Sequence, residues 1–333
     1  MLIDSLGRKL NYLRVSITDR CNLRCVYCMP PEGVPLKPHD EMLRFEEILR
    51  LCRILASLGI SRIRVTGGEP LVRRGAASFL KSLKEISSVE KLFLTTNGCL
   101  LGAYLDEVDA LGPASLPDGI NISLDALSEN ASARITRRDE SKPLNEILPH
   151  VDRLLRKNIQ VKINCVPVRG YNEGEIVPLA SLAKYRNIAV RFIELMPMGS
   201  AADFEYIPGS EIATDIEKAF GKLEPCSDTQ DFVLQGSGPA VYYSLAGFIG
   251  KIGFINPMSH NFCRNCNRLR LTSEGKLKLC LSSDLSLDLK EQIRAGVSDR
   301  EIADSVSFFV KKKPGLHTFA AEIRSEDMSR IGG

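Results

Sequence analysis

The sequence predicts an α/β protein: an incomplete (βα)6 barrel of the TIM type, closed by a smaller C-terminal domain. Three observations carry this. Short apolar strands alternate with amphipathic helices through the first two-thirds of the chain. Polar or glycine-rich groups stand at the C-terminal end of strand after strand. The pattern then changes near residue 200, in a chain of 333 residues, which is more than a single core of about 250–300 residues holds. The expected division is 1–200 and 201–333.

The strands are read from "LRVSI", "RIRVT", "KLFLTT", "INISL", "VKINCV" and "AVRFIEL". Between the first two, "RFEEILRLCRILASLG" places Phe45, Ile48, Leu49, Cys52, Leu55 and Leu58 on one face of a 3.6-residue period, and Gly59 ends the helix. Strand–helix alternation with short connections means parallel βα units, in a barrel or an open doubly wound sheet. The barrel is favoured by "TGGEP" (66–70), "TTNG" (95–98), "SLD" (123–125), "KIN" (162–164) and "ELMPM" (194–198), because the strand C-termini of βα barrels build the active site. Beyond residue 200, "GSEIATDIEKAFG" reads as a helix and "PAVYYSLAGFIGKIGFINP" as two strands joined at a glycine turn. "LSLDLKEQIRAG" reads as a further helix, followed by a basic, loose end.

Composition excludes several classes. Lysine plus arginine number 44 against 41 acidic residues, a net charge of +3, and aromatics make up 6% with no tryptophan. A nucleic-acid coat needs a marked basic excess, and a base-stacking platform needs aromatics. The start "MLIDSLGRKLNYLR" is no signal peptide, and the longest apolar run, "YYSLAGFIGKIGFI", is broken by Lys251. The expectation is a cytoplasmic protein that binds neither nucleic acid nor membrane. In that reducing compartment ten cysteines do not form a disulfide framework.

Six of the ten fall into two groups. Cys21, Cys25 and Cys28 lie in "RCNLRCVYCMPPEG", at the exit of the first strand. Thiolates suit zinc or iron–sulfur centres. A closed zinc site wants four ligands, whereas a 4Fe-4S cube held by three cysteines keeps one iron open to a small molecule. A zinc knuckle borrowing a distant ligand is the competing reading. The second group is Cys263, Cys266 and Cys280, and here His260 could complete a zinc site. Beside it "NRLRL" sets Arg268 and Arg270 on one face of a strand, with Arg264 near. Guanidinium forks there suit a polyphosphate. Cys52, Cys99, Cys165 and Cys226 are read as packing residues.

"CNLRCVYC" followed by "TGGEP" resembles the radical S-adenosylmethionine (SAM) superfamily, in which the open iron chelates SAM and one electron releases a 5′-deoxyadenosyl radical. Gly67 and Gly68 are expected to approach the cofactor and present backbone N–H groups to it. Over nearly the whole chain, "LRVSITDRCNLRCVYCMP", "RVTGGEPL", "TTNG", "FIELMPM", "IGFINP", "FCRNCNRLRLTSEG" and the final "IGG" closely resemble the GTP 3′,8-cyclase family of molybdenum cofactor biosynthesis. The resemblance implies two 4Fe-4S clusters, one on Cys21, Cys25 and Cys28 that binds SAM, one on Cys263, Cys266 and Cys280 that holds the guanine edge of GTP. Tyr27, Gly68, Ser123 and Met196 fall on its SAM positions. Arg14, Arg64, Thr95, Lys162, Arg191, Arg268, Leu269 and Arg270 fall on its GTP positions. The implied chemistry removes hydrogen from ribose C3′, and the carbon radical attacks C8 of the base. A further electron from an external donor completes the ring. Gly332 and Gly333 are implied to enter the active site and act in catalysis. A homodimer is implied too, as is cyclic pyranopterin monophosphate synthase as the next enzyme. The chain departs from the family at Arg137, where glycine is more frequent, and at Lys278–Leu279, where arginine and proline are. Two other readings are a radical SAM peptide-modifying enzyme with an auxiliary cluster and a zinc-dependent RNA-binding module.

Overall fold

The computed structural model describes residues 1–138, 144–226, 238–319 and 328–331. Six parallel strands follow one another in sequence order: β1 (Tyr12–Ser16), β2 (Arg62–Thr66), β3 (Lys91–Thr96), β4 (Gly119–Ser123), β5 (Gln160–Cys165) and β6 (Ala189–Ile193). The helices between them include α1 (Phe45–Ser57), α2 (Ala76–Lys84), α3 (Leu101–Leu111), α4 (Glu129–Thr136) and α5 (Leu144–Arg156). The segments read as strands from the sequence are the strands observed, and the predicted first helix starts within a residue of α1.

Each strand has two faces. Leu13, Val15, Ile63, Val65, Ile120, Ile122, Val161 and Ile163 point to the helices and are completely buried in one large apolar core. The alternate residues point to the sheet's other side. That side lines a cavity of about 340 Å³. A complete eight-stranded βα barrel fills its interior with branched side chains. This one does not close, and its interior stays polar.

The last third of the chain completes the sheet at both edges. Among the described residues, β7 (Val241–Ser244) and β8 (Lys251–Ile255) form the expected hairpin, and β8 lies parallel beside β6. At the opposite edge β9 (Arg268–Leu271) lies parallel beside β1, in the register Arg268–Tyr12 and Arg270–Arg14. Strands β10 (Lys276–Lys278) and β11 (Ser286–Asp288) extend that edge antiparallel. The sheet therefore runs through the division expected at residue 200.

Two C-terminal expectations need correction. "LSLDLKEQIRAG" is not all helix: its start is β11, and Asp288 accepts from the Glu291 N–H at 2.8 Å to cap a short helix over Leu289–Arg294. The end is not loose up to residue 312 either. Asp299–Phe309 is a helix whose Ser298 and Glu301 form a capping box, the S-x-x-E signature in "SDRE". No helix among the described residues is long and apolar enough to cross a membrane.

The N-terminal segment braces the C-terminal one. The buried Arg8 guanidinium pairs with Asp4 at 2.5 Å, and donates to the Cys263 carbonyl and to the Pro314 carbonyl, each at 2.8 Å. Burial pulls the Asp4 carboxyl upward, but hydrogen bonds from Arg8 and the Leu6 backbone outweigh it and hold it below its ordinary 3.8. Such a group stabilises the fold above its unfolded-state value, and that share is lost as pH falls through the folded one. Asp4→Asn leaves a buried guanidinium unpaired and should cost about 3–5 kcal/mol at neutral pH. Thermal unfolding at pH 7 and in acid checks this: the gap between wild type and variant should shrink in acid.

Candidate functional site

The two cysteine triads open onto the same cavity, at opposite ends of the strands. Cys21 follows the C-terminal end of β1. Cys266 lies two residues before β9, whose first residue pairs with the first residue of β1, and Cys280 follows β10, which returns antiparallel to that same end. All six cysteines line the cavity. Among the described residues, no three His, Cys, Asp or Glu side chains converge on a single-ion site. The thiolates of each triad suit an iron–sulfur centre.

The first triad's loop is fixed by backbone pairing. The Arg24 and Val26 N–H groups donate to the Thr136 and Ile135 carbonyls, both at 2.9 Å, and the Cys28 N–H to the Cys25 carbonyl at 2.9 Å. Arg137 caps α4 in the left-handed region, at φ 53°, and its guanidinium donates to the Met29 carbonyl at 3.2 Å. The left-handed conformation explains why glycine suits this position. Here the side chain ties down the residue next to Cys28. Burial pushes the Cys25 thiol well up, with Asp125 and the neighbouring cysteines adding to it, and pushes Cys21 up to about 11. A positive centre is needed to hold both as thiolates.

Around this end stand the four predicted SAM positions, Tyr27, Gly68, Ser123 and Met196, all in the cavity wall. The Tyr27 hydroxyl donates to Asp125 at 2.5 Å. The expectation that Gly68 presents its N–H to a cofactor is not met: that N–H is donated to the Thr18 carbonyl at 2.8 Å, and the Glu69 N–H to Arg20 at 2.8 Å. A Cβ on Gly68 would overlap the Arg20 carbonyl, so glycine is required for close approach to the cysteine loop. Two acids missing from the sequence reading complete this end. Burial lifts Glu69 to about 7, although it accepts from the Asn97 N–H, the Thr96 hydroxyl and the Leu71 N–H. Burial likewise lifts Asp125 to about 6. The sequence signal for both was their place at strand C-termini, in "TGGEP" and "SLD".

The middle of the cavity is cationic. In adjacent strands Arg270, Arg14 and Arg64 stand side by side in register, and Lys162, Arg191 and Thr95 face the same space. Burial lowers Arg14 well below its usual value, with Arg270 and Arg64 adding to the shift, and brings Arg270 down to about 10. Arg64 donates to the Tyr12 hydroxyl at 2.5 Å and lies over the Phe93 ring at 4.8 Å; Arg191 donates to Asn164 at 2.9 Å. Tyr12, Asn121 and Asn164 also line the cavity and were missed, although each sits at the alternate spacing of a predicted cationic or hydroxyl residue. Leu269 is the exception among the predicted GTP positions. It is completely buried in the apolar core on the far face of β9, because strand alternation turns it away from Arg268 and Arg270.

At the second triad, the Cys266 N–H donates to the Cys263 carbonyl at 3.1 Å. Burial raises the Cys266 thiol, but the charges of Arg268 and Lys313 and hydrogen bonds from Arg268 outweigh it and bring it down to about 7. Buried Lys313 donates to the carbonyls of Arg268, at 2.9 Å, and Leu279. Lys278 is buried opposite Arg270, and Leu279 lines the cavity. The histidine here is not His260, which is exposed, but His317, which lines the cavity and whose backbone N–H meets the Cys263 thiol. Met328 also faces the cavity. Gly332 and Gly333 lie outside the described residues. Of the cysteines read as packing, Cys52, Cys99 and Cys165 are buried, while Cys226 is partly exposed beside Ser244.

Comparison with known proteins agrees with this arrangement. Residues 15–183 match the Radical SAM superfamily and residues 188–319 match Molybdenum Cofactor Synthesis C. The chain is 44% identical to GTP 3′,8-cyclase of Moorella thermoacetica, with 99% of each chain covered, and 41% identical to GTP 3′,8-cyclase of Clostridium perfringens, again with 99% of each covered. Among solved structures, Streptococcus suis SuiB bound to precursor peptide SuiA shares the fold, with a TM-score of 0.55 at 14% identity, covering 86% of this chain and 65% of that one.

The two faces of β9 predict opposite phenotypes. Leu269→Ala should cost about 2–5 kcal/mol of stability and leave triphosphate binding intact in the folded protein. Arg270→Ala should weaken triphosphate binding by about 1.5–3 kcal/mol. Thermal melts and anaerobic calorimetry on the two variants check this.

Proposed function

The chain belongs to the GTP 3′,8-cyclase family of the radical SAM superfamily, and from that membership we infer how its residues divide the work. The protein is a radical SAM enzyme with two 4Fe-4S clusters that cyclises GTP to (8S)-3′,8-cyclo-7,8-dihydroguanosine 5′-triphosphate, the first step of molybdenum cofactor biosynthesis. The observation that carries the division of labour is that both cysteine triads and the cationic layer line one cavity.

Cys21, Cys25 and Cys28 hold the cluster that binds SAM, and Cys263, Cys266 and Cys280 hold the one that receives the guanine edge. A cluster bound at the first triad would supply the electron that cleaves SAM to the radical that takes hydrogen from the ribose. The chain's own residues bind, orient and shield. Tyr27, Gly68, Ser123 and Met196 form the wall on the SAM side. Arg14, Arg64, Lys162, Arg191, Arg268 and Arg270, with Thr95, bind GTP, and their charge suits its triphosphate. The second triad sits at the far end of the strands, so a base held there and a ribose reaching toward the first triad lie along the cavity's length. Fixing C3′ and C8 within reach of each other is an orientation effect. Leu269 supports this layer from the core. Residues 1–200 serve SAM and supply most of the cationic layer, residues 201–333 serve the base, and β9 brings arginines of the second segment beside those of the first.

The family resemblance supports a cytoplasmic homodimer. It draws electrons from an external donor and passes product to cyclic pyranopterin monophosphate synthase. The family resemblance also supports a catalytic role for Gly332 and Gly333. Deleting them should leave both clusters and GTP affinity nearly intact while turnover collapses, as read by single-turnover deoxyadenosine and cyclised-product formation at saturating GTP. Equal turnover in the truncated enzyme would show that the two glycines are dispensable.

The triads can be separated by iron and product analysis. Reconstituted protein should hold about eight irons per chain, from two four-iron cubes. Replacing Cys21, Cys25 and Cys28 by alanine should halve this and abolish deoxyadenosine formation. Replacing Cys263, Cys266 and Cys280 should halve it too, yet leave some SAM cleavage uncoupled from GTP cyclisation. Deoxyadenosine formation by the first variant would overturn the assignment.

A further inference from the structure

Two buried cations, Arg8 and Lys313, adjoin the second triad, and the fold treats them differently. Arg8 has its own counter-ion: its guanidinium pairs with the Asp4 carboxylate at 2.5 Å while it donates to the Cys263 carbonyl. Lys313 is only 4% exposed, and no carboxylate among the described residues pairs with it. Its ammonium donates to the carbonyls of Arg268, at 2.9 Å, and Leu279. The Leu279 carbonyl belongs to the peptide bond that opens Cys280, and Arg268 stands two residues beyond Cys266. The ammonium is therefore fastened between the two chain segments that carry these cysteines. Burial pulls Lys313 below its ordinary value; the charges of Cys266 and Cys280 oppose this, and those of Arg8 and Arg268 add to it. Conversely, Lys313 helps to bring the Cys266 thiol down.

Carbonyl dipoles alone compensate a buried charge poorly. A group that merely fastened backbone could do so with a counter-ion beside it, as Arg8 does. An unpaired ammonium suits a place that an anion will fill. The occupied triad is such an anion, because a four-iron core carries fewer positive charges than three thiolates carry negative ones. One-electron reduction makes it more negative, so a fixed positive charge beside it favours the reduced form. At the first triad the charges that act on the thiols include the acids Glu69, on Cys21, and Asp125, on Cys25. Groups behind the ligands tune a metal centre as much as the ligands do. We propose that the Lys313 ammonium is the counter-charge of the second cluster and raises its reduction potential. This rests on the reading that Cys263, Cys266 and Cys280 hold a four-iron cluster. It gives Lys313 an electrostatic role in poising that cluster, apart from the arginines that face GTP.

The test is an anaerobic redox titration of the reconstituted full-length enzyme, followed by electron paramagnetic resonance, with iron counted in each sample. The first cluster's signal is the one that SAM perturbs, and the second's is the one that GTP perturbs. Lys313→Met removes the charge and the hydrogen bonds. Lys313→Gln removes the charge but keeps an amide donor for the two carbonyls, and Lys313→Arg keeps the charge. In both neutral variants the ratio of reduced to oxidised second cluster at a fixed potential should fall about tenfold, which is a midpoint lower by about 59 mV for one electron. The first cluster's midpoint should not move, and Lys313→Arg should stay close to wild type. An unchanged second midpoint in iron-replete Lys313→Gln overturns the proposal and leaves the lysine as a fastener of backbone. An equal shift of both clusters overturns it as well. Should the neutral variants lose the second cluster, Lys313→Arg decides. Retention of about eight irons per chain in that variant supports a counter-charge, and loss there too shows that the shape of the lysine matters and overturns it. A wild type that holds only about four irons, or zinc at the second triad, would instead overturn the cluster assignment itself.

Discussion

Arg14 stands between Arg64 and Arg270 on neighbouring strands, and the cost of burying these like charges in register is the constraint that organises the interior. Adjacent strands are about 4.8 Å apart, and like charges directly opposite each other destabilise a sheet. At that separation two unit charges repel by about 3 kcal/mol at an effective dielectric of ~20. The structure softens this with neutral groups. Arg64 has a phenol and an aromatic ring, Arg191 a side-chain amide, and Arg268 the Phe262 ring at 4.9 Å. Such partners orient a guanidinium without cancelling its charge. The layer thus keeps its affinity for an anion, and a bound polyphosphate relieves the repulsion the fold has built in.

The same cavity is polarised along its length. Buried acids, Glu69 and Asp125, stand at the end of the first triad, and buried cations from β1, β2, β6 and β9 stand beyond them. SAM brings an ammonium and a sulfonium, and GTP brings a triphosphate. A wall that is acidic at one end and cationic in the middle sorts the two ligands by charge before any detailed contact is made. Both acids are raised toward neutrality by burial, so a nearby positive charge on the ligand strengthens their ionisation. Charge segregation of this kind does not appear in a net charge of +3, because it is a matter of placement and not of composition.

Placement also marks what could be read from the sequence. Strand and helix positions through β6 were legible because each strand is apolar on one face and each helix keeps a 3.6-residue period. The triads were legible because cysteine spacing within one loop is local. Arg268 and Arg270 were legible as a pair from strand alternation, and the same alternation, applied strictly, excludes the Leu269 side chain that lies between them. Tyr12, Asn121 and Asn164 repeat the spacing of Arg14, Ser123 and Lys162 and were within reach of the same rule. His317 was not: nothing local distinguishes it from His260, and only the long-range contacts with Pro257 and Cys263 bring it to the triad. The Gly67–Gly68 pair showed a different limit. Its need for glycine was visible, but the cause, contact with the Thr18–Arg20 backbone, is tertiary.

Why the second triad lies opposite the first follows from connectivity. Strand β8 runs parallel to β6 and ends, at Ile255, on the same side as the exit of β1. Strand β9 is parallel to β1 and must begin on the opposite side. Residues 256–267 therefore have to pass from one end of the strands to the other and from one edge of the open sheet to its other edge. That path crosses the gap between the two edges of the open sheet. Cys263 and Cys266 lie at its far end, and Phe262 and Pro257 along it. The Asp4–Arg8 pair fastens this crossing segment at the Cys263 carbonyl, and Glu194 fastens its start by accepting from the Met258 and Ser259 N–H groups, both at 3.0 Å. Leaving the barrel incomplete thus does two things at once. It keeps the interior open for two ligands, and it obliges the chain to lay a cysteine-bearing segment across the opening, with the second triad as far from the first as the strand length allows.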